Sequence, residues 1–128
     1  MGYYFTKVLQ CSYEEAIPKV IDALKAEGFG VLTEIDVKAT LKKKLDVDFR
    51  DYIILGACNP PFAHQALQAE RNIGLLLPCN VVVQATEEGS AEVSAIDPVS
   101  AMQSVENDNL AQVAQEVRDR LRTVIESL

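Results

Sequence analysis

Two apolar runs, residues 52–58 and 75–83, limit what this chain can fold into more than any other feature of its sequence. Both fall far short of the roughly 20 residues that a membrane-spanning helix needs, and both are too apolar to lie on a surface. They read as central strands of one sheet. Each holds a Cys-Asn pair, Cys58-Asn59 and Cys79-Asn80, and a helix-like segment opens at Pro60-Pro61 between them. A chain of 128 residues is expected to form a single domain, 1–128, large enough to close a core without disulfides or metals.

Around those strands the local signals predict the remaining elements. Aromatic and β-branched residues over 3–10 predict a first strand, and a capping box of Ser12 and Glu15 opens a helix over 13–27. Ala16, Val20, Ile21 and Leu24 form its inward stripe, Gly28 ends it, and Pro18 predicts a bend. Residues 29–36 alternate as a half-buried strand, with Phe29, Val31, Thr33 and Ile35 on one face and Leu32, Glu34 and Asp36 on the other. Asp36 is placed to cap a short helix over 37–45, with Val37, Leu41 and Leu45 as its stripe. Lys42, Lys43 and Lys44 in its last turn read as a solvated helix end before they read as an anion site.

Further on, Asn59 before Pro60 suits a helix cap, and the helix running to about residue 70 buries Ala63, Ala66 and Leu67. Pro78 interrupts the second apolar run, leaving 79–86 as the strand proper. Glu87-Glu88-Gly89-Ser90 then turns the chain into a last strand over 91–96. Asp97-Pro98 opens a helical turn, and Asn107 or Asp108 caps the final helix. There Leu110, Ala114, Val117, Leu121, Val124 and Leu128 recur at helical spacing, the clearest periodicity in the chain.

Composition excludes several functions. Nineteen acidic against twelve basic residues give a net charge of −7, which opposes contact with a phosphate backbone, so nucleic acid is not an expected partner. Neither a secretory leader nor a membrane span is expected. Gly2 and Thr6 fit a loose myristoylation pattern, but 3–9 reads more simply as a strand. Three cysteines without a Cys-x-x-Cys make a secreted disulfide framework improbable and point to a cytoplasmic, reducing compartment. No glycine-rich nucleotide loop, Gly-x-Ser-x-Gly or His-Glu-x-x-His is present.

Site-like residues fall into two groups. If strands 52–58 and 79–86 pair with Cys58 opposite Cys79, Gly56 meets Val81 and Ile54 meets Val83, and the two thiols lie within reach of each other. Three readings of these cysteines stay open: buried apolar residues, a redox pair helped by the helix at Pro60, or a metal site that adds His64. The second group is Glu34, Asp36, Asn59, Asn80 and Asp97. Glu34 and Asp36 share a strand face and could form an acid–base pair or a cation site, while Asp36, Asn59 and Asp97 also have plain capping duties.

Four segments carry a resemblance to a family: Gly28-Phe29-Gly30-Val31-Leu32-Thr33-Glu34-Ile35-Asp36, Leu55-Gly56-Ala57-Cys58-Asn59-Pro60, Gly74-Leu75-Leu76-Leu77-Pro78-Cys79-Asn80-Val81 and Ala95-Ile96-Asp97-Pro98. In this order they resemble the prokaryotic family called domain of unknown function 302, over nearly the whole chain. The resemblance implies an α+β fold of the β-α-β4-α type: a curved antiparallel sheet with a long C-terminal helix, laid out like the TATA-binding-protein class. The helices over 37–45 and 60–70 would be insertions. It implies no activity, cofactor or catalytic residue.

The combined expectation is a cytoplasmic domain that binds a small molecule or a partner, without catalysis, cofactor or metal. Its candidate ligand-binding residues are Cys58, Asn59, Cys79, Asn80, Glu34, Asp36 and Asp97. The alternative is a thiol redox or metal-handling protein using Cys58 and Cys79. Strand 52–58 is apolar on both faces, so both need cover. The short helices would supply it on the second face, or else a second copy would, making a homodimer.

Overall fold

Alternation along the strands decides where the core lies. The computed structural model of the protein describes residues 2–128. Its strands are β1 (Tyr4–Leu9), β2 (Gly30–Asp36), β3 (Tyr52–Cys58), β4 (Cys79–Ala85) and β5 (Ala91–Ile96). They form one antiparallel sheet in the order β1-β5-β4-β3-β2, which puts the apolar runs inside it. On one face, every second residue of the inner strands is buried: Leu55, Val81, Val83, Val93 and Ala95 among them. Each of the leucine and valine side chains contributes on the order of 1.5–3 kcal/mol by leaving water.

Two long helices cover that face, α1 (Tyr13–Ala26) and α5 (Asp108–Ser127). The α1 capping box forms as expected: Ser12 Oγ accepts from Glu15 N–H and Glu15 Oε1 accepts from Ser12 N–H, both at 3.1 Å. Pro18 sits inside α1, whose buried stripe is Ala16, Val20 and Leu24. Helix α5 buries the predicted Leu110, Ala114, Val117, Leu121 and Val124, and also Val113 and Ile125, giving it a broader inward face than the periodicity suggested. The fold is thus α+β, an antiparallel sheet backed by a long C-terminal helix.

Two local expectations are corrected. Strand β2 carries a bulge: Val31 pairs with Ala57 but Thr33 with Gly56, so Leu32 is the extra residue and Val31 no longer shares a face with Thr33 and Ile35. A bulge of this kind re-aims side chains at a sheet edge, and β2 is an edge strand. Helix α2 (Val37–Leu45) buries none of its supposed stripe, and Leu45 is 65% exposed. The break expected at Pro78 is present: a 3-10 turn, Ile73–Leu76, precedes a cis Leu77–Pro78 bond, and β4 starts at Cys79.

Helix α3 (Pro60–Ala69) packs against α5 and buries Ala66, while Leu67 stays 48% exposed. Neither α2 nor α3 covers the second face of the sheet. That face, with Tyr4, Thr6 and Val8 on β1 and Ile35 on β2, is open among the described residues. A four-residue helix, α4 (Pro98–Ala101), links β5 to the chain leading into α5.

Candidate functional site

The sheet end where β3 finishes and β4 begins is where small side chains leave room. Helix α3 turns the modest Ala63 and Ala66 inward there, and α5 presents Ala114, so the helices cannot close on the sheet with large groups. The result is an open-mouthed cavity of about 340 Å³. This lies at the lower end of the 300–1,000 Å³ usual for small-molecule sites. Its floor and back wall are Phe29, Ala57, Cys79, Pro98 and Met102, with Val113 and Val117 of α5, all buried. Its mouth lies between Leu32 at the β2 bulge, Leu67 of α3 and Gly74 of the 3-10 turn, all exposed. Phe62, Cys58, Leu77 and Pro78 line the passage between.

Gly56 is needed for this wall. A Cβ there would come within 2.1 Å of Thr33 Oγ1 and 2.8 Å of Pro78 Cγ, so only glycine lets the proline ring lie across β3. Among the described residues no charged side chain lines the cavity. Its amide side chain, Asn59, is buried and donates from Nδ2 to the Glu27 carbonyl at 3.1 Å. Asn59 therefore does not cap α3 with its side chain, as the sequence suggested. It ties the end of α1 to the start of α3, packing beside Gly28, whose φ of +86° suits glycine.

The expected thiol pairing is also corrected. Ala57, not Cys58, stands opposite Cys79, and Gly56 faces Asn80, Leu55 Val81 and Ile54 Val82. The connection between β3 and β4 is a helix plus a 3-10 turn, so no hairpin geometry held the register, and the true one differs by a single residue. Cys58 and Cys79 nevertheless line the same cavity, and both are free thiols. Burial, with the neighbouring Cys58 adding to it, pushes the Cys79 thiol from 9.0 up to about 11. At neutral pH it is a protonated, weakly nucleophilic group.

The second group of sequence candidates does not assemble. Asn80 is exposed on the open sheet face beside Val82 and Ser94. Glu34 and Asp36 lie on the exposed edge strand; Asp36 Oδ1 caps α2 by accepting from Ala39 N–H at 2.9 Å. Asp97 is buried, accepts from Val99 N–H at 2.9 Å to cap α4, and pairs through Oδ2 with Arg118 Nε at 3.1 Å. It joins β5 and α4 to α5. His64, exposed on α3, does not line the cavity, and no cluster of three or more His, Cys, Asp or Glu suited to a metal occurs among the described residues.

Sequence reading missed Phe29, Leu32, Phe62, Met102, Val113 and Val117 as site residues. Each looks like ordinary core in a linear pattern. The available signal was the run of small residues on α3 (Ala63, Ala66, Ala69), which marks a helix that cannot fill the space beneath it.

Fold and cavity together define an α+β protein with one layer of helices on an antiparallel sheet and an apolar recess at the sheet's end. The chain belongs to the family described as Domain of unknown function DUF302, whose model matches residues 5–128. It is similar to the crystal structure of an uncharacterized conserved DUF302 protein from Bacillus stearothermophilus, at 28% identity over 98% of both chains, with a TM-score of 0.90. No curated protein matches it. No helix among the described residues is long and apolar enough to cross a membrane.

Proposed function

We propose that this protein is a non-catalytic binding domain whose site is the recess between β3, β4, α3 and α5. One observation carries the reading: a cavity of about 340 Å³ with a nearly all-apolar lining opens to solvent. Its amide side chain, Asn59, already donates to a backbone carbonyl. Such a wall rewards burial of an apolar body and carries no carboxylate, imidazole or amine for acid–base chemistry. The three free cysteines suit a reducing compartment, and we place the protein in the cytoplasm on that ground.

A neutral solvatochromic dye, 1-aminoanthracene, tests this. It should bind with a blue-shifted emission, and Ala114→Leu, which fills the recess from α5, should abolish binding while the fold persists by circular dichroism. Absence of dye binding to the native protein, or binding untouched by the filled variant, would overturn the reading. Thiol redox chemistry is the weaker alternative, because Cys79 is held protonated by its burial.

A second copy of the chain is the partner we propose for the open sheet face. Five strands of six or seven residues present a footprint of roughly 24 by 20 Å, about 500 Å² before side-chain relief. That is of the same order as the roughly 800 Å² per partner of a stable interface. Tyr4, Val8 and Ile35 are each nearly half exposed there. The one acid pointing from the middle strands, Glu92, accepts from Gln84 Nε2 at 3.4 Å. Light scattering at micromolar concentration should report a dimer, and a monomer would remove this part of the proposal.

A further inference from the structure

The recess has a chemical direction. Its closed end is made of buried residues from α4, the residue after it and α5: Pro98, Met102, Val113 and Val117. Its open end is rimmed by Leu32, 68% exposed, and Leu67, 48% exposed. Apolar surface therefore continues from the floor out to the rim, with no charged side chain on the way. A sugar, nucleotide or amino acid placed inside would lose its water without gaining hydrogen bonds, at a cost of several kcal/mol per group.

Resting on the binding reading above, we infer that the occupant is a one-tailed amphiphile: a single alkyl chain enters first, and its polar head stays at the mouth in water. The bulge in β2 supports this, because it is what brings Leu32 to the rim, where it extends the apolar path beyond the sheet edge. Length follows from volume. At about 30 Å³ for each water-sized unit, 340 Å³ holds a chain of roughly eleven heavy atoms. Head chemistry matters little to such a site, whereas tail length matters a great deal.

A homologous series decides it: n-alkanoates and n-alkanols of six to fourteen carbons, each below its micelle concentration, titrated against the full chain by displacement of 1-aminoanthracene. Affinity should rise about fourfold per methylene and level off near eleven carbons. Acid and alcohol of equal length should agree within about threefold, since no charge lines the wall. Ala114→Leu, which no longer holds the dye and is titrated directly by isothermal titration calorimetry, should shorten the chain length at which the plateau falls. Ala63→Leu, at a half-buried wall position, gives the same readout if the first variant folds poorly. Neutral phosphatidylcholine vesicles form a second arm, in which the protein should remain in the supernatant if the ligand is a free amphiphile.

Dye binding without any alkyl binding would overturn the amphiphile and leave the binding reading intact. Loss of both would overturn both. An affinity that ignores chain length, or one set by the head group, would also refute the inference. Sedimentation with the vesicles would assign the tail to a bilayer lipid and refute the free amphiphile.

Discussion

Adding one methyl group at Gly56 should be felt more than a surface-strand substitution ordinarily is. The new Cβ of Gly56→Ala would lie 2.1 Å from Thr33 Oγ1 and 2.8 Å from Pro78 Cγ, against the 3.5–4.0 Å of an ordinary carbon contact. Thr33 is exposed, so its hydroxyl can rotate away at small cost. The Pro78 ring cannot, and it must shift by about an ångström, carrying the start of β4 and the cavity wall with it. Overpacking of this kind costs about 1–3 kcal/mol. For a chain of this size the Tm should fall by about 4–12 °C. Differential scanning calorimetry of Gly56→Ala, Pro78→Ala and the double variant measures it. The two substitutions should couple by more than about 0.5 kcal/mol, with the double variant recovering part of the loss. An unchanged Tm for Gly56→Ala, or strict additivity, would refute the argument from close approach.

Other perturbations probe the ties around the recess. Asn59→Ala removes the bond to the Glu27 carbonyl and should cost about 1–2 kcal/mol in chemical denaturation, with faster amide exchange at the end of α1. Wild-type stability there would mean that the tie is idle. Asp97→Asn keeps an acceptor for Val99 N–H but breaks the pair with Arg118, and should cost about 1 kcal/mol; Asp97→Ala loses both and should cost roughly twice that. Equal losses would show that only one of the two contacts counts. For Cys79 the folded value near 11 lies above the ordinary 9.0, so the unfolded chain ionises first as pH rises. Its contribution is full below pH 9 and is lost toward pH 11, a fall of about 2–3 kcal/mol that Cys79→Ala should remove from the pH profile. A slope unchanged in the variant would mean that another group sets the alkaline limit; Tyr13, pushed up from 10.0 to about 12 chiefly by burial, with Asp36 and Asp51 adding to it, is then the one to replace with Phe.

Most of the secondary structure could be read because periodicity and caps agreed. Ser12 with Glu15 fixed the start of α1, and the repeat from Leu110 to Val124 fixed α5. What could not be read depended on non-local geometry. The β3–β4 register lacks a tight turn to specify it, and a one-residue slip moves Cys58 away from its supposed partner. The β2 bulge is an extra residue that no alternation pattern announces, yet it is what carries Leu32 to the cavity mouth. The start of β4 at Cys79, by contrast, was legible from Pro78, although the 3-10 turn before it was not. Of the seven candidate site residues, Cys58, Asn59 and Cys79 line the recess. Glu34 sits on an exposed edge, Asp36 and Asp97 serve as caps, and Asn80 faces the open side. Polar residues draw attention in a sequence, whereas an apolar site is built from residues that look like core.

The most direct test is an amide and methyl NMR titration of the full chain with n-decanol. Shifts should concentrate on Ala57, Ala66, Gly74 and Ala114 and saturate with one equivalent bound. Shifts confined to the open sheet face around Val82 and Ser94, or spread over the surface without saturation, would contradict the apolar recess as the binding site.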